Sequence, residues 1–131
     1  MLIDKIRINE IVEERFMMDK NENLVVLWTS GDIEVAEKMV YMYTLTAKKR
    51  NWWKEIVFII WGPSAKLLSE SESLQEKIKE FIAVGIKVKA CKACADEYGV
   101  SEKLSDIGVD VKYMGEPLTK YIKYDYKTIT F

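Results

Sequence analysis

The chain has 131 residues, nearly half of them apolar and about a third charged, which suits a single domain with its own core. Its 20 basic and 21 acidic residues lack the basic excess of a dedicated nucleic-acid binder. No apolar run reaches the ~18–20 residues that span a bilayer, and residues 1–20 are too charged for a signal peptide. Two cysteines three positions apart build no secreted disulfide framework, so a cytoplasmic protein without membrane or nucleic-acid partners is expected.

Residues 1–23 read as a charged N-terminal helical extension, with Ile3, Ile6, Ile11, Val12 and Phe16 spaced loosely as on a helix. It serves either as a plain surface helix or as part of an oligomer interface. The domain proper spans residues 24–131. Leu24-Val25-Val26-Leu27-Trp28 is a continuous apolar run, the pattern of a strand covered on both faces. Thr29-Ser30-Gly31-Asp32 turns the chain into a helix with Ile33, Ala36, Val40, Tyr43 and Ala47 on one face. Its last turn carries Lys48-Lys49-Arg50, which suits the helix dipole.

A second buried strand is predicted at Ile56–Trp61, broken by Gly62-Pro63, with Pro63 opening a short helix through Leu68. Ser73 and Glu76 suggest a capping box for the next helix, whose apolar stripe is Leu74, Ile78, Phe81 and Ile82. After Gly85 the alternation Ile86-Lys87-Val88-Lys89-Ala90-Cys91 is that of a half-buried strand. Helix-compatible residues follow to Tyr98, and Gly99 is placed as a C-cap. A helix at Glu102–Ile107, a strand at Val109–Met114, a helix at Leu118–Tyr124 and a terminal strand at Lys127–Phe131 complete the series.

Strands and helices in alternation predict one three-layer α/β/α domain around a mostly parallel five-stranded sheet. The functional edge of such a sheet is formed by loops at the carboxyl ends of its strands. Here these are Thr29–Asp32, Trp61–Ser64, Cys91–Lys92 and Gly115–Pro117.

Cys91 is the leading chemical candidate. It stands at a strand-to-helix junction, where the unpaired N–H groups of the new helix favour thiolate over thiol. Lys89 and Lys92 lie beside it in sequence. The chain has no histidine, so a Cys–His dyad is ruled out. Cys94 shares a helix face with Cys91 and is either a second redox thiol or a small apolar residue. Two sulfurs without imidazole fall short of a structural zinc site, and neither a metal nor a cofactor is expected. Thr29, Ser30, Gly31 and Asp32 could cradle a phosphate but read more simply as a helix cap. Trp61 and Gly62 form the neighbouring site edge.

Three stretches carry a family resemblance. They are the buried first strand followed by Thr29-Ser30-Gly31-Asp32, then Ile59-Ile60-Trp61-Gly62-Pro63-Ser64-Ala65-Lys66-Leu67-Leu68, and Gly85–Ala95 with both cysteines. Over residues 24–131 the chain resembles the DsrE/DsrF-like sulfur-relay (Tus/Dsr) family. The resemblance implies a three-layer α/β fold and a sulfurtransferase role in which Cys91 carries the persulfide. It also implies association into homo-oligomers, with a dimer or trimer expected here and Tyr41 and Met42 set against a neighbour. Sulfur-donor and sulfur-acceptor proteins would be the other partners. The rival readings are a Cys91/Cys94 thiol–disulfide switch and a non-catalytic ligand or protein-interaction module.

Overall fold

Leu24–Trp28 and Ile56–Ile60 contain no polar break, and such strands are stable only between two covering layers. Both lie inside a five-stranded, all-parallel sheet in the computed structural model of the protein, which describes residues 8–11 and 22–131. The strands are β1 (Asn23–Trp28), β2 (Glu55–Ile60), β3 (Lys87–Cys91), β4 (Asp110–Lys112) and β5 (Lys127–Thr130). Their order across the sheet is β4-β3-β2-β1-β5. Of the expected N-terminal extension, residues 8–11 are helical and the remainder up to residue 21 lies outside the described residues.

The connecting helices distribute unequally over the two faces. Helix α1 comprises an α-helical turn at Ile33–Val35, a π-helical segment at Ala36–Val40 and an α-helix at Tyr41–Lys49. It is followed by α2 (Pro63–Glu70), α3 (Glu72–Ala83), α4 (Lys92–Tyr98), α5 (Ser101–Asp106) and α6 (Gly115–Lys123). Strands β1 to β4 step across the sheet in one direction, so right-handed crossovers put α1–α5 on one face. The step from β4 back to β5 runs the other way and puts α6 on the opposite face.

Packing reflects this split. Val26, Trp28, Phe58, Ile60 and Val88 join Val40, Tyr41, Leu68, Leu74, Ile78, Phe81 and Leu104 in the larger core. Its centre is aromatic: Tyr41 lies 5.3 Å from Trp28 and 5.0 Å from Phe81, and Phe58 lies 5.2 Å from Phe81, centroid to centroid. Edge and tilted contacts of this kind add about 0.5–1.5 kcal/mol each beyond area burial. On the other face Val25, Val57, Ile59, Cys91 and Met114 are buried together, with Leu27, Trp61, Cys94, Leu118, Tyr121 and Tyr126 against them.

Several local expectations are corrected. The π-helical segment inserts an extra residue into the turn, so Tyr41, Thr44 and Ala47 face the core where uniform spacing predicted Tyr43. Tyr43 moves to the rim and accepts a hydrogen bond from Trp53 Nε1 at 3.0 Å, while Ile33 is exposed. Tyr41 is 2% exposed and cannot face a neighbouring chain, whereas Met42 is exposed.

Helix α3 starts two residues before the expected capping box. The extended Ser71 accepts the Leu74 N–H at 3.2 Å, and Ser73 lies within the first turn. Strand β4 stops at Lys112, short of the expected Met114, which is buried and is the N-cap of α6, and α6 begins at Gly115 rather than Leu118. Among the described residues no helix is long and apolar enough to cross a membrane.

Candidate functional site

Cys91 is both the last residue of β3 and the N-cap of α4, with extended backbone (φ −69°, ψ 114°). Its side chain points to the face that α6 alone overlies, and it is 4% exposed. Gly99, with φ +70°, ends α4 as the sequence predicts. Cys94, half-buried one turn into α4, lies beside the Cys91 sulfur, and both cysteines are free thiols. Burial pushes the Cys94 thiol above its ordinary value, and the neighbouring Cys91 sulfur pushes it further; the Gly62 N–H works in the opposite sense.

The loop after β2 is brought to this pair. Gly62 adopts φ +79°, a conformation that side chains resist, and its backbone N–H lies near enough to the Cys94 thiol to favour the thiolate there. Trp61 belongs to the apolar cluster that holds Cys91. Ser64 fixes the two loops to each other, its buried hydroxyl donating to Trp28 C=O at 2.6 Å and accepting the Trp61 N–H at 3.2 Å.

Thr29, Ser30, Gly31 and Asp32 sit at the end of β1, two strands from Cys91, and their polar groups are used within the chain. The N–H groups of Thr29 and Ser30 donate to the Phe131 C=O at 2.7 and 3.2 Å, and Thr29 Oγ1 donates to it at 2.8 Å. A Cβ on Gly31 would lie 3.2 Å from that of Pro63. Asp32 Oδ1 accepts the N–H groups of Glu34 and Val35 at 2.8 and 3.2 Å, occupying the position a phosphate would take. The segment is a helix cap and a tie to the C-terminus.

The two lysines expected beside the sulfur are held by carboxylates. Lys89 Nζ is 3.0 Å from Asp110 Oδ2, with a largely buried stem. Lys92 Nζ is 2.6 Å from Asp96 Oδ2 and 5.7 Å from the Tyr113 ring centroid. Lys112 is a neighbour that sequence reasoning missed. It pairs in register with Cys91 and lies 3.3 Å from the same Asp110 oxygen. The two-residue period groups Asp110 with Lys112, but only strand pairing sets that couple beside Cys91.

An open cleft of about 430 Å³ borders the cluster, lined by Tyr113, Glu116, Pro117, Lys120 and Tyr121. Among the described residues no three cysteine, aspartate or glutamate side chains gather as a metal site would require.

The sequence profile of the DsrE/DsrF-like family matches residues 22–131, which takes in every strand and both cysteines. This chain belongs to the DsrE/DsrF-like family. A solved relative in the same fold, the conserved protein of unknown function BT1422 from Bacteroides thetaiotaomicron, is 38% identical, with a TM-score of 0.82. That likeness covers 85% of this chain and 96% of BT1422. The YchN protein of E. coli shares the fold at a TM-score of 0.64 and 16% identity, covering 84% of this chain and 99% of its own. No curated protein matches the sequence. For a DsrE/DsrF-like protein, the site assembled here comprises two adjacent thiols, one backbone N–H from Gly62 and a cation-rich strand pair.

Proposed function

We infer that this DsrE/DsrF-like protein is a cysteine-based sulfur carrier in which Cys91 holds the persulfide and residues 24–131 form the carrier domain. The observation that supports this most is the placement of Cys91 at the carboxyl edge of β3, where it is also the N-cap of α4. The Cys91 thiolate attacks the outer sulfur of a donor persulfide R–S–SH. A new Cys91–sulfur bond forms, the donor S–S bond breaks, and R–S⁻ departs with the bonding pair. An acceptor thiolate then attacks the outer sulfur of the Cys91 persulfide, which returns Cys91 as thiolate. No net oxidation occurs, so no cofactor is required.

The protein acts in the cytoplasm as a homo-oligomer, a dimer or trimer, with donor and acceptor proteins as partners. Exposed Met39 and Met42 on the outer side of α1 are suited to self-association.

A second reading, a dithiol–disulfide switch, is favoured by the adjacency of the two sulfurs. Closing that disulfide would need an oxidant that takes two electrons. Sulfur loading in single-cysteine variants separates the readings. A carrier loses loading in Cys91→Ser and keeps most of it in Cys94→Ser, whereas equal loss in both favours the switch.

A further inference from the structure

The face that carries Cys91 also carries a charge cluster whose two ammonium groups share one carboxylate. In the parallel β3–β4 ladder, Lys89 pairs with Asp110 and Cys91 with Lys112. Residues paired in register project to the same face, and so do residues two apart on one strand. Lys89, Asp110, Lys112 and Cys91 therefore occupy the four corners of one patch, with strands about 4.8 Å apart. Asp110 Oδ2 receives Lys89 Nζ at 3.0 Å and Lys112 Nζ at 3.3 Å. The Lys89 side chain is 14% exposed and that of Lys112 is 45% exposed. Lys89 is thus the fixed partner of the carboxylate, and Lys112 is the surplus cation at the surface.

We propose that Lys112 forms an anion subsite beside Cys91, and that it faces the negatively charged outer sulfur when Cys91 carries one. Asp110 parks the ammonium until then. The assignment of the anion as a persulfide rests on the sulfur-carrier reading; the subsite itself rests on the patch geometry. A persulfide is more acidic than the thiol that bears it, so Cys91–S–SH formed by transfer from R–S–SH loses its proton to water and becomes Cys91–S–S⁻. The outer sulfur extends beyond the buried Cys91 sulfur, into the reach of a flexible lysine stem. Moving Lys112 from Asp110 to that sulfur leaves no carboxylate stranded, because Lys89 remains on Asp110. The cluster's net charge of +1 becomes zero when the sulfur anion forms.

The test uses the full chain carrying Cys94→Ser, so that Cys91 is the sole thiol. Cys91 alkylation rates are measured with iodoacetate, which is anionic, and with iodoacetamide, which is neutral, and the ratio isolates the local charge. A unit charge about 5–7 Å away in a water-like medium changes such a rate roughly three-fold. Lys112→Gln is expected to lower the iodoacetate-to-iodoacetamide ratio about three-fold, Lys112→Arg to restore it, and Asp110→Asn to raise it. Molar salt should flatten these differences. An unchanged ratio in Lys112→Gln overturns the proposal, as does a Cys91 that neither reagent reaches. The same samples are exposed to glutathione persulfide and weighed. Failure of the Lys112-replete protein to gain sulfur, with the ratio still shifted by Lys112→Gln, refutes the carrier reading and leaves the anion subsite standing.

Discussion

The two faces of the sheet differ in what covers them. The face under α1–α5 is filled by Trp28, Tyr41, Phe58 and Phe81, all essentially removed from solvent. The face under α6 holds fewer fully buried side chains, aromatic residues that are only partly covered (Trp61, Tyr121, Tyr126), two thiols and the charged patch of Lys89, Asp110 and Lys112, and no residue within α6 is fully buried. Chain direction produces this asymmetry: four strands step one way and need five helices, and one return step supplies a single helix. The heavily covered face holds the strands at fixed spacing. The lightly covered face carries both thiols towards its carboxyl edge.

Substitutions should expose this difference, beginning with the largest effect. Phe58→Ala opens a cavity in the aromatic centre and is expected to cost about 3–5 kcal/mol, read from the midpoint of urea unfolding. Leu118→Ala, on the half-buried side of α6, should cost about 1–2 kcal/mol by the same measurement. Equal losses would mean that both faces contribute alike, contrary to the packing.

A third, smaller effect concerns Tyr126, at the opposite end of the lightly covered face from Cys91. Its hydroxyl donates to Glu55 Oε2 at 2.7 Å, and this bond, with burial, pushes its pKa up from 10.0 to about 12. Lys87, at 2.6 Å, and the Tyr126 hydroxyl lower the Glu55 pKa from 4.5. The raised tyrosine contributes stability that is present below its unfolded value and lost as pH climbs through about 12. The depressed glutamate contributes stability present above 4.5 and lost as pH falls through its folded value. Phenolate absorbance should show one tyrosine titrating near 12, and Glu55→Gln should bring that midpoint back towards 10. A midpoint unmoved by Glu55→Gln would dissolve the Tyr126–Glu55 contact.

Much of this arrangement was legible in the residues. The apolar runs at 24–28 and 56–60 could only be central strands, and the alternation ending at Cys91 placed the thiol at a strand-to-helix junction. Gly99 announced the end of α4 through its left-handed backbone. What escaped the sequence depended on pairings between distant segments. No spacing rule reveals that Lys112 stands next to Cys91, or that the Gly62 N–H meets Cys94. The π-helical segment likewise carries no residue signature, so a uniform helical period exchanged Tyr41 for Tyr43. The lysines at 89 and 92 adjoin Cys91 in sequence, but carboxylates 21 and four residues away engage their ammonium groups.

The central claim is that Cys91 carries sulfur, and intact mass tests it most directly. After incubation with a persulfide donor and removal of excess, the wild-type chain should gain roughly 32 Da, one sulfur, which a reductant removes. Peptide mapping should place the gain on Cys91, and Cys91→Ser should show none. A wild-type chain that gains no mass, or a Cys91→Ser chain that gains as much as wild type, would contradict the account.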